Sequence, residues 1–180
     1  RIYFNNDILL QNEYRQVEKN LNHISDFSIK KLDSGSKSHF FSNSKIDLSL
    51  NNFDASELEI NLEKTSNDTY LKSEKLSNSI QSNPSLLNSF VKYEAFTEDL
   101  DLSIEVAAYE DLSKEKNSDK YQFILPSFKI SKIFLPFADR IGNLKYTASG
   151  VSQKRNTNIT ENYLINDFDF NLDRFFSKNG

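Results

Sequence analysis

Apolar residues in this chain recur at every second position. Ile46, Leu48 and Leu50 alternate with Asp47, Ser49 and Asn51. After Asn51 and Asn52 the alternation resumes as Leu58, Ile60 and Leu62, with Glu57, Glu59, Asn61 and Glu63 interleaved. Successive strand side chains point to opposite faces, so each segment acquires one apolar and one wet face. A helix would scatter Leu58, Ile60 and Leu62 around its circumference. The longest example sets Leu100, Leu102, Ile104, Val106 and Ala108 against Asp101, Ser103, Glu105, Ala107 and Tyr109. Val91, Tyr93 and Ala95 predict a strand just before it, and Thr97, Glu98 and Asp99 are few enough for a hairpin connection.

Tyr121, Phe123 and Leu125 predict another strand, which Pro126 is expected to stop or to mark as an edge or bulge. Leu144, Tyr146 and Ala148 predict one more before Gly150. Phe168, Phe170 and Leu172 alternate with Asp167, Asp169 and Asn171 near the end. Turn chemistry separates the runs. Asp33–Ser34–Gly35–Ser36 lies between the Phe27/Ile29 segment and residues 40–50. Thr65–Ser66–Asn67–Asp68 and Ser82–Asn83–Pro84–Ser85 predict loops. Residues 113–118, with Lys114, Glu115 and Lys116, predict a solvated loop. Residues 13–22 contain helix formers, but Tyr14 and Val17 alone make a thin apolar stripe, so strand or loop is expected. The fold class that follows is all-β, an antiparallel meander of roughly eight to ten strands, with no domain linker across 1–180.

Composition narrows the architecture. Hydrophobic residues are 37% of the 180, low for a domain that buries a two-sided core, yet 15 Phe and 8 Tyr exclude a disordered chain. An aromatic-rich but polar sequence needs much of its side-chain surface wet. A half-wet sheet or a barrel with a water-filled lumen meets that need. The net charge is −4, and no basic run exceeds a pair such as Lys30 and Lys31, so a nucleic-acid partner is not expected. The absence of cysteine excludes disulfides and thiolate metal sites in this stretch. No apolar run reaches the roughly 18 residues of a membrane helix, but barrel strands of about 9–11 alternating residues escape that criterion. The chain begins at Arg1 and ends shortly after Phe175 and Phe176. Neither end reads as a natural terminus, so a piece of something longer is expected.

Candidate chemistry is sparse. His23 and His39 are isolated and read as surface or loop histidines rather than metal ligands. Glu98, Asp99, Asp101 and Glu105 could supply paired carboxylates for glycoside hydrolysis, but acidic residues on a wet strand face are the default. Asn67 with Asp68, and Asp167 with Asp169, fall short of a complete calcium loop. No Gly-x-Ser-x-Gly elbow or phosphate-cradling glycine loop is present. The sequons at Asn67 and Asn158 are short enough to arise by chance. No cofactor and no enzymatic activity are expected. Tyr93, Phe96, Tyr109 and Tyr121 are candidates for interfacial aromatic girdles.

Several runs carry a family likeness. Tyr109–Glu110–Asp111–Leu112–Ser113–Lys114, a polar loop, and then Asp119–Lys120–Tyr121–Gln122–Phe123–Ile124–Leu125–Pro126 resemble a stretch of the LptD family, the LPS-assembly barrels of the bacterial outer membrane (organic-solvent-tolerance proteins). Glu13–Tyr14–Arg15 resembles a strand of that barrel, and Asp68–Thr69–Tyr70–Leu71 its Asp-x-Tyr element, in the family's order. Lys120 stands where the family more often has Arg, and lacks its planar fork. The resemblance makes Glu13, Tyr14, Arg15, Asp68, Tyr70, Asp119, Tyr121, Leu125 and Pro126 structural motif residues. It implies part of a large transmembrane β-barrel, without its N-terminal jelly roll. Such barrels move lipopolysaccharide from a periplasmic bridge protein into the outer leaflet, with a plug lipoprotein in the lumen. Asp101, Ser103 and Glu105 would then face the lumen, and 100–108 would present their apolar members to lipid. The alternatives are a secreted or periplasmic sandwich or jelly-roll binding module, and another outer-membrane barrel such as a porin or receptor.

Overall fold

The computed structural model describes residues 2–5, 7–32, 35–76, 79–81, 83–134 and 142–171. Asp33, Ser34, Ser82, Leu172, Phe175 and Phe176, invoked above as turn or strand residues or as terminal neighbours, lie outside these. Ten strands follow one another among the described residues: β1 (Ile2–Asn5), β2 (Asp7–Glu18), β3 (Leu21–Leu32), β4 (Gly35–Asp47), β5 (Ala55–Thr65), β6 (Leu86–Phe96), β7 (Leu100–Asp111), β8 (Tyr121–Phe134), β9 (Asn143–Arg155) and β10 (Thr160–Asn171). Each pairs antiparallel with its neighbours in sequence, and together they form one sheet in the order β1 to β10. The all-β meander inferred from alternation is therefore the fold. Its one described helix, α1 (Tyr70–Glu74), lies in the β5–β6 connection.

The register aligns the alternation of each strand with that of the next. On one face Ile60 stands between Ser44 and Val91, and Val91 opposes Val106. Ile104 stands between Tyr93 and Phe128, and Leu102 between Ala95 and Ile130. On the other face Lys45, Glu59, Lys92 and Glu105 are consecutive partners across β4 to β7, a transverse row of alternating charge. A one-residue slip would invert every side chain, so the two patterns specify the pairing.

No second sheet covers either face among the described residues. Leu62, Val91, Ile104, Val106 and Phe168 consequently stay exposed on the apolar face. Strand β10 is exposed along its whole length. The edge strands β1 and β10 do not pair with one another among the described residues.

Two local expectations change, and two open alternatives are decided. The alternation through Leu48 and Leu50 is not strand. β4 ends at Asp47, whose carboxylate accepts from the backbone N–H and hydroxyl of Ser49, and Ser49 turns the chain at φ +47°. Such a local side-chain bond competes with the ladder. Pro126 does not stop β8, which continues to Phe134. The register instead shifts on both sides of Leu125 and Pro126, so the bulge alternative is the one realised. Residues 13–22 are strand to Glu18, with a turn at Lys19 and Asn20 before β3. Finally, His39 is buried at 3% exposure, not a surface or loop histidine.

Candidate functional site

The one substantial apolar cluster among the described residues is on the wrong face for an ordinary core. Leu9 opposes Lys30, and Phe41 stands between Asp26 and Glu63, which places both on the charged face. They are buried together with Tyr70, Leu71, Leu87 and Leu112. The cover is the connection after β5. Residues 66–76 fold inward as a strap over β2 to β4, with α1 pressing Tyr70 and Leu71 against the sheet. α1 is only five residues long, has no side-chain cap at Thr69, and ends in a left-handed Lys75. A helix this short is unstable alone and depends on what it touches.

Beneath the strap lies a buried polar cluster. Ser28 Oγ is 2.8 Å from His39 Nδ1 and 2.7 Å from the Tyr70 hydroxyl. Asp26 Oδ1 is 3.6 Å from His39 Nε2, too far for a hydrogen bond, and that nitrogen has no hydrogen-bond partner among the described residues. Gln11 donates to Asp26 Oδ2 at 3.0 Å. The His39 ring stacks on Phe41 with centroids 4.4 Å apart. Serine, histidine and aspartate are the residue types of an acyl-transfer relay. Here, though, none of Ser28's surface is exposed and its hydroxyl is shared with Tyr70, so no substrate reaches it while the strap is down.

The strap is pinned by charge at two more points. Lys30 Nζ donates to both carboxylate oxygens of Glu74 at 3.0 Å. Lys120 Nζ donates to Asp68 Oδ2 at 2.7 Å and lies 3.5 Å from Glu110 Oε1. Burial works against the Lys120 ammonium, but the bond to Asp68 and the fields of Asp68 and Glu110 outweigh it, and its pKa is raised. Burial also raises the Tyr70 phenol, against its bond to Ser28.

Further along the same charged face runs an open trough of about 610 Å³. Glu57, Glu94 and Asp101 line it from β5 to β7, and Lys129 and Lys145 from β8 and β9. Ser103, Ser131 and Thr147 lie between. Lys129 and Lys145 make no ion pair among the described residues, so the trough is acidic on one side and basic on the other. The arrangement suits a hydrated solute with charged and hydroxyl groups. No cluster of metal-ligand type is present among the described residues.

The residues singled out from the sequence fall into several places. Asp101 and Ser103 line the trough. Glu105 shares their face but stands opposite Lys92 and Ser127, outside the trough lining. Asp68 and Tyr70 belong to the strap. Glu13 pairs with Arg15 at 2.8 Å and accepts from Ser79 at 2.9 Å, which ties β2 to the same connection. Asp119 accepts from Thr157, and this bond, against a small desolvation cost, holds its pKa below the usual carboxylate value. Tyr121 donates to Glu110, and Leu125 and Pro126 form the bulge. Tyr14 lies on the apolar face, opposite Ser25. Of the girdle candidates, Tyr93 and Tyr121 share the apolar face, while Phe96 and Tyr109 are on the charged one. Sequence reading missed Asp26, Ser28 and His39 as a group. Their shared parity on β3 and β4 was visible, but the pairing of Ser28 with His39 depends on register. Compared with known proteins, the chain matches no family model and no curated protein.

Proposed function

We propose that this chain is part of an outer-membrane β-barrel of the LPS-assembly type, a non-enzymatic conduit that delivers lipopolysaccharide to the outer leaflet. The observation that carries the membrane part is the face asymmetry. One face of a ten-stranded sheet exposes Leu62, Val91, Ile104, Val106 and Phe168 with no covering layer among the described residues, while the other carries paired charge. Each of these part-exposed side chains forgoes about 1 kcal/mol of burial in water. Lipid contact removes that penalty, and a wet lumen keeps the charged face solvated. Strands of 11 to 14 residues from β2 to β10 are long enough to span a bilayer at a tilt.

The lipopolysaccharide part is supported by the motif resemblance together with one contact. Asp68 and Lys120, from two separate motif segments, form an ion pair. On this reading the bipolar trough passes the charged sugar head, and a plug lipoprotein and a periplasmic bridge protein are the partners. A soluble sandwich binding module is disfavoured by the single uncovered sheet. The test is fractionation of the full-length protein with gel mobility read before and after heating. Recovery in the outer membrane with heat-modifiable mobility, and photocrosslinking of lipopolysaccharide to residues 101 and 103, is expected. A soluble species of unchanged mobility would overturn the barrel. An outer-membrane species without lipopolysaccharide crosslinks would leave a barrel of another class.

A further inference from the structure

We infer that residues 66–76 are a removable strap, a gate that closes one end of the polar path along the charged face. The inference rests on the barrel reading above, in which that face lines the lumen. Three observations carry it.

The strap hides groups built for water. Asp26, Ser28 and His39 face the lumen side, yet are 1%, 0% and 3% exposed, with Tyr70 of the strap bonded to Ser28 and 6.1 Å from the His39 ring. A permanently buried surface would be expected to be apolar there, since buried polar groups cost free energy unless fully bonded. These are not fully bonded: His39 Nε2 has no hydrogen-bond partner among the described residues. A surface that alternates between covered and wet accounts for both facts.

The strap is held by three polar pins and by the burial of Tyr70 and Leu71 in the apolar cluster with Leu9, Phe41, Leu87 and Leu112. Tyr70 bonds Ser28, Glu74 pairs with Lys30, and Asp68 pairs with Lys120, around an apolar contact of Tyr70 and Leu71 with Leu9 and Phe41. Polar contacts exchange for water at little net cost, so lifting the strap is cheaper than unpacking an apolar element of the same size. Its helix is too short to be rigid by itself.

Finally, the strap lies on the face that carries the open trough. Raising it would expose a second polar surface on that face, Asp26, Ser28 and His39, toward the opposite strand ends from the trough, because His39 pairs with Thr65 at the end of β5 and the trough is lined by 55–57 at its start. The occupant of the cleared surface would be a hydrated, hydrogen-bonding solute.

The test uses the full-length protein in its membrane. It is simplified because this 180-residue chain contains no cysteine. Ser28→Cys reports access to the covered surface through the reaction of its thiol with a charged, water-soluble maleimide, and ion conductance in planar bilayers reports the path. Lys30→Glu sets like charges against Glu74, and Lys30→Glu with Glu74→Lys restores the pair. The charge reversal is expected to speed labelling at position 28 about tenfold and to raise conductance, and the double reversal to return both to the starting values. Retained heat-modifiable mobility excludes misfolding as the cause. Equal labelling and conductance in all three backgrounds would overturn the gate while leaving the barrel intact. Accelerated labelling in a protein that neither enters the membrane nor conducts would overturn the barrel reading, and the gating role with it.

Discussion

Lys120 Nζ meets Asp68 Oδ2 at 2.7 Å across 52 residues of chain, and joins the strap to the loop that precedes β8. The two partners sit in different surroundings. The Lys120 side chain has 2% of its surface exposed, Asp68 47%. Removing the anion therefore differs from removing the cation. In Asp68→Ala a buried ammonium loses its nearest anion and keeps Glu110 and the Tyr121 ring, at a cost of about 1–2 kcal/mol. In Lys120→Met the buried charge itself is gone and Asp68 turns to water, so the loss is expected to be below about 1 kcal/mol. Urea midpoints followed by heat-modifiable mobility would rank the two variants, and a larger loss for Lys120→Met would contradict this account.

The strap should loosen at high pH. Lys120 and Tyr70 both have raised pKa values, relative to ordinary values of 10.5 and 10.0. For a group raised on folding, the stabilisation is complete below the ordinary value and is lost as pH climbs through the folded one. Protection of residues 66–76 in hydrogen exchange should thus be level from neutral pH to about pH 10, and decline above it once intrinsic exchange is corrected for. A decline that starts near about pH 8, well below both ordinary values, would point to a different pin.

Gly150 and Phe128 oppose each other across β8 and β9. A Cβ on Gly150 would lie 2.6 Å from Phe128 Cε1 and 3.3 Å from the Tyr163 carbonyl oxygen. The ring occupies the space a side chain would need. Gly150→Ala is expected to destabilise by about 1–3 kcal/mol through overpacking. Adding Phe128→Ala should recover part of that loss, a non-additivity that a double-mutant cycle measures. Additive losses would mean that the ring is not the obstacle.

On the proposed barrel function, single cysteines along β7 should label by parity. Positions 101 and 103 are expected to react with a water-soluble maleimide in the membrane-embedded protein. Positions 104 and 106 are expected to be protected by lipid and to react after solubilisation in denaturant. The reverse pattern would invert the lumen and lipid assignment.

Much of the fold was legible in the residues alone. Ile60 between Glu59 and Asn61, and Ile104 between Ser103 and Glu105, can satisfy both faces only as strands, because a period of two matches no helix. The same alternation separates Asp101 and Ser103 from Leu102 and Ile104. Local punctuation was less decisive. Pro126 lacks an N–H but sits where the ladder already shifts, so the strand passes through it. The run through Leu48 and Leu50 kept its alternation after the Asp47 carboxylate had captured the turn.

The tertiary structure decided the rest. Alternation assigns each residue a face but not a neighbour, since any register that preserves parity satisfies it. Which residues meet depends on turn lengths and on where the β5–β6 connection folds. Ser28, His39 and Tyr70 come from three segments, and only the inward path of residues 66–76 brings them within hydrogen-bonding distance. That path is set by tertiary contacts of Tyr70, Leu71, Glu74 and Asp68, because a five-residue helix has too little local free energy to choose its own position.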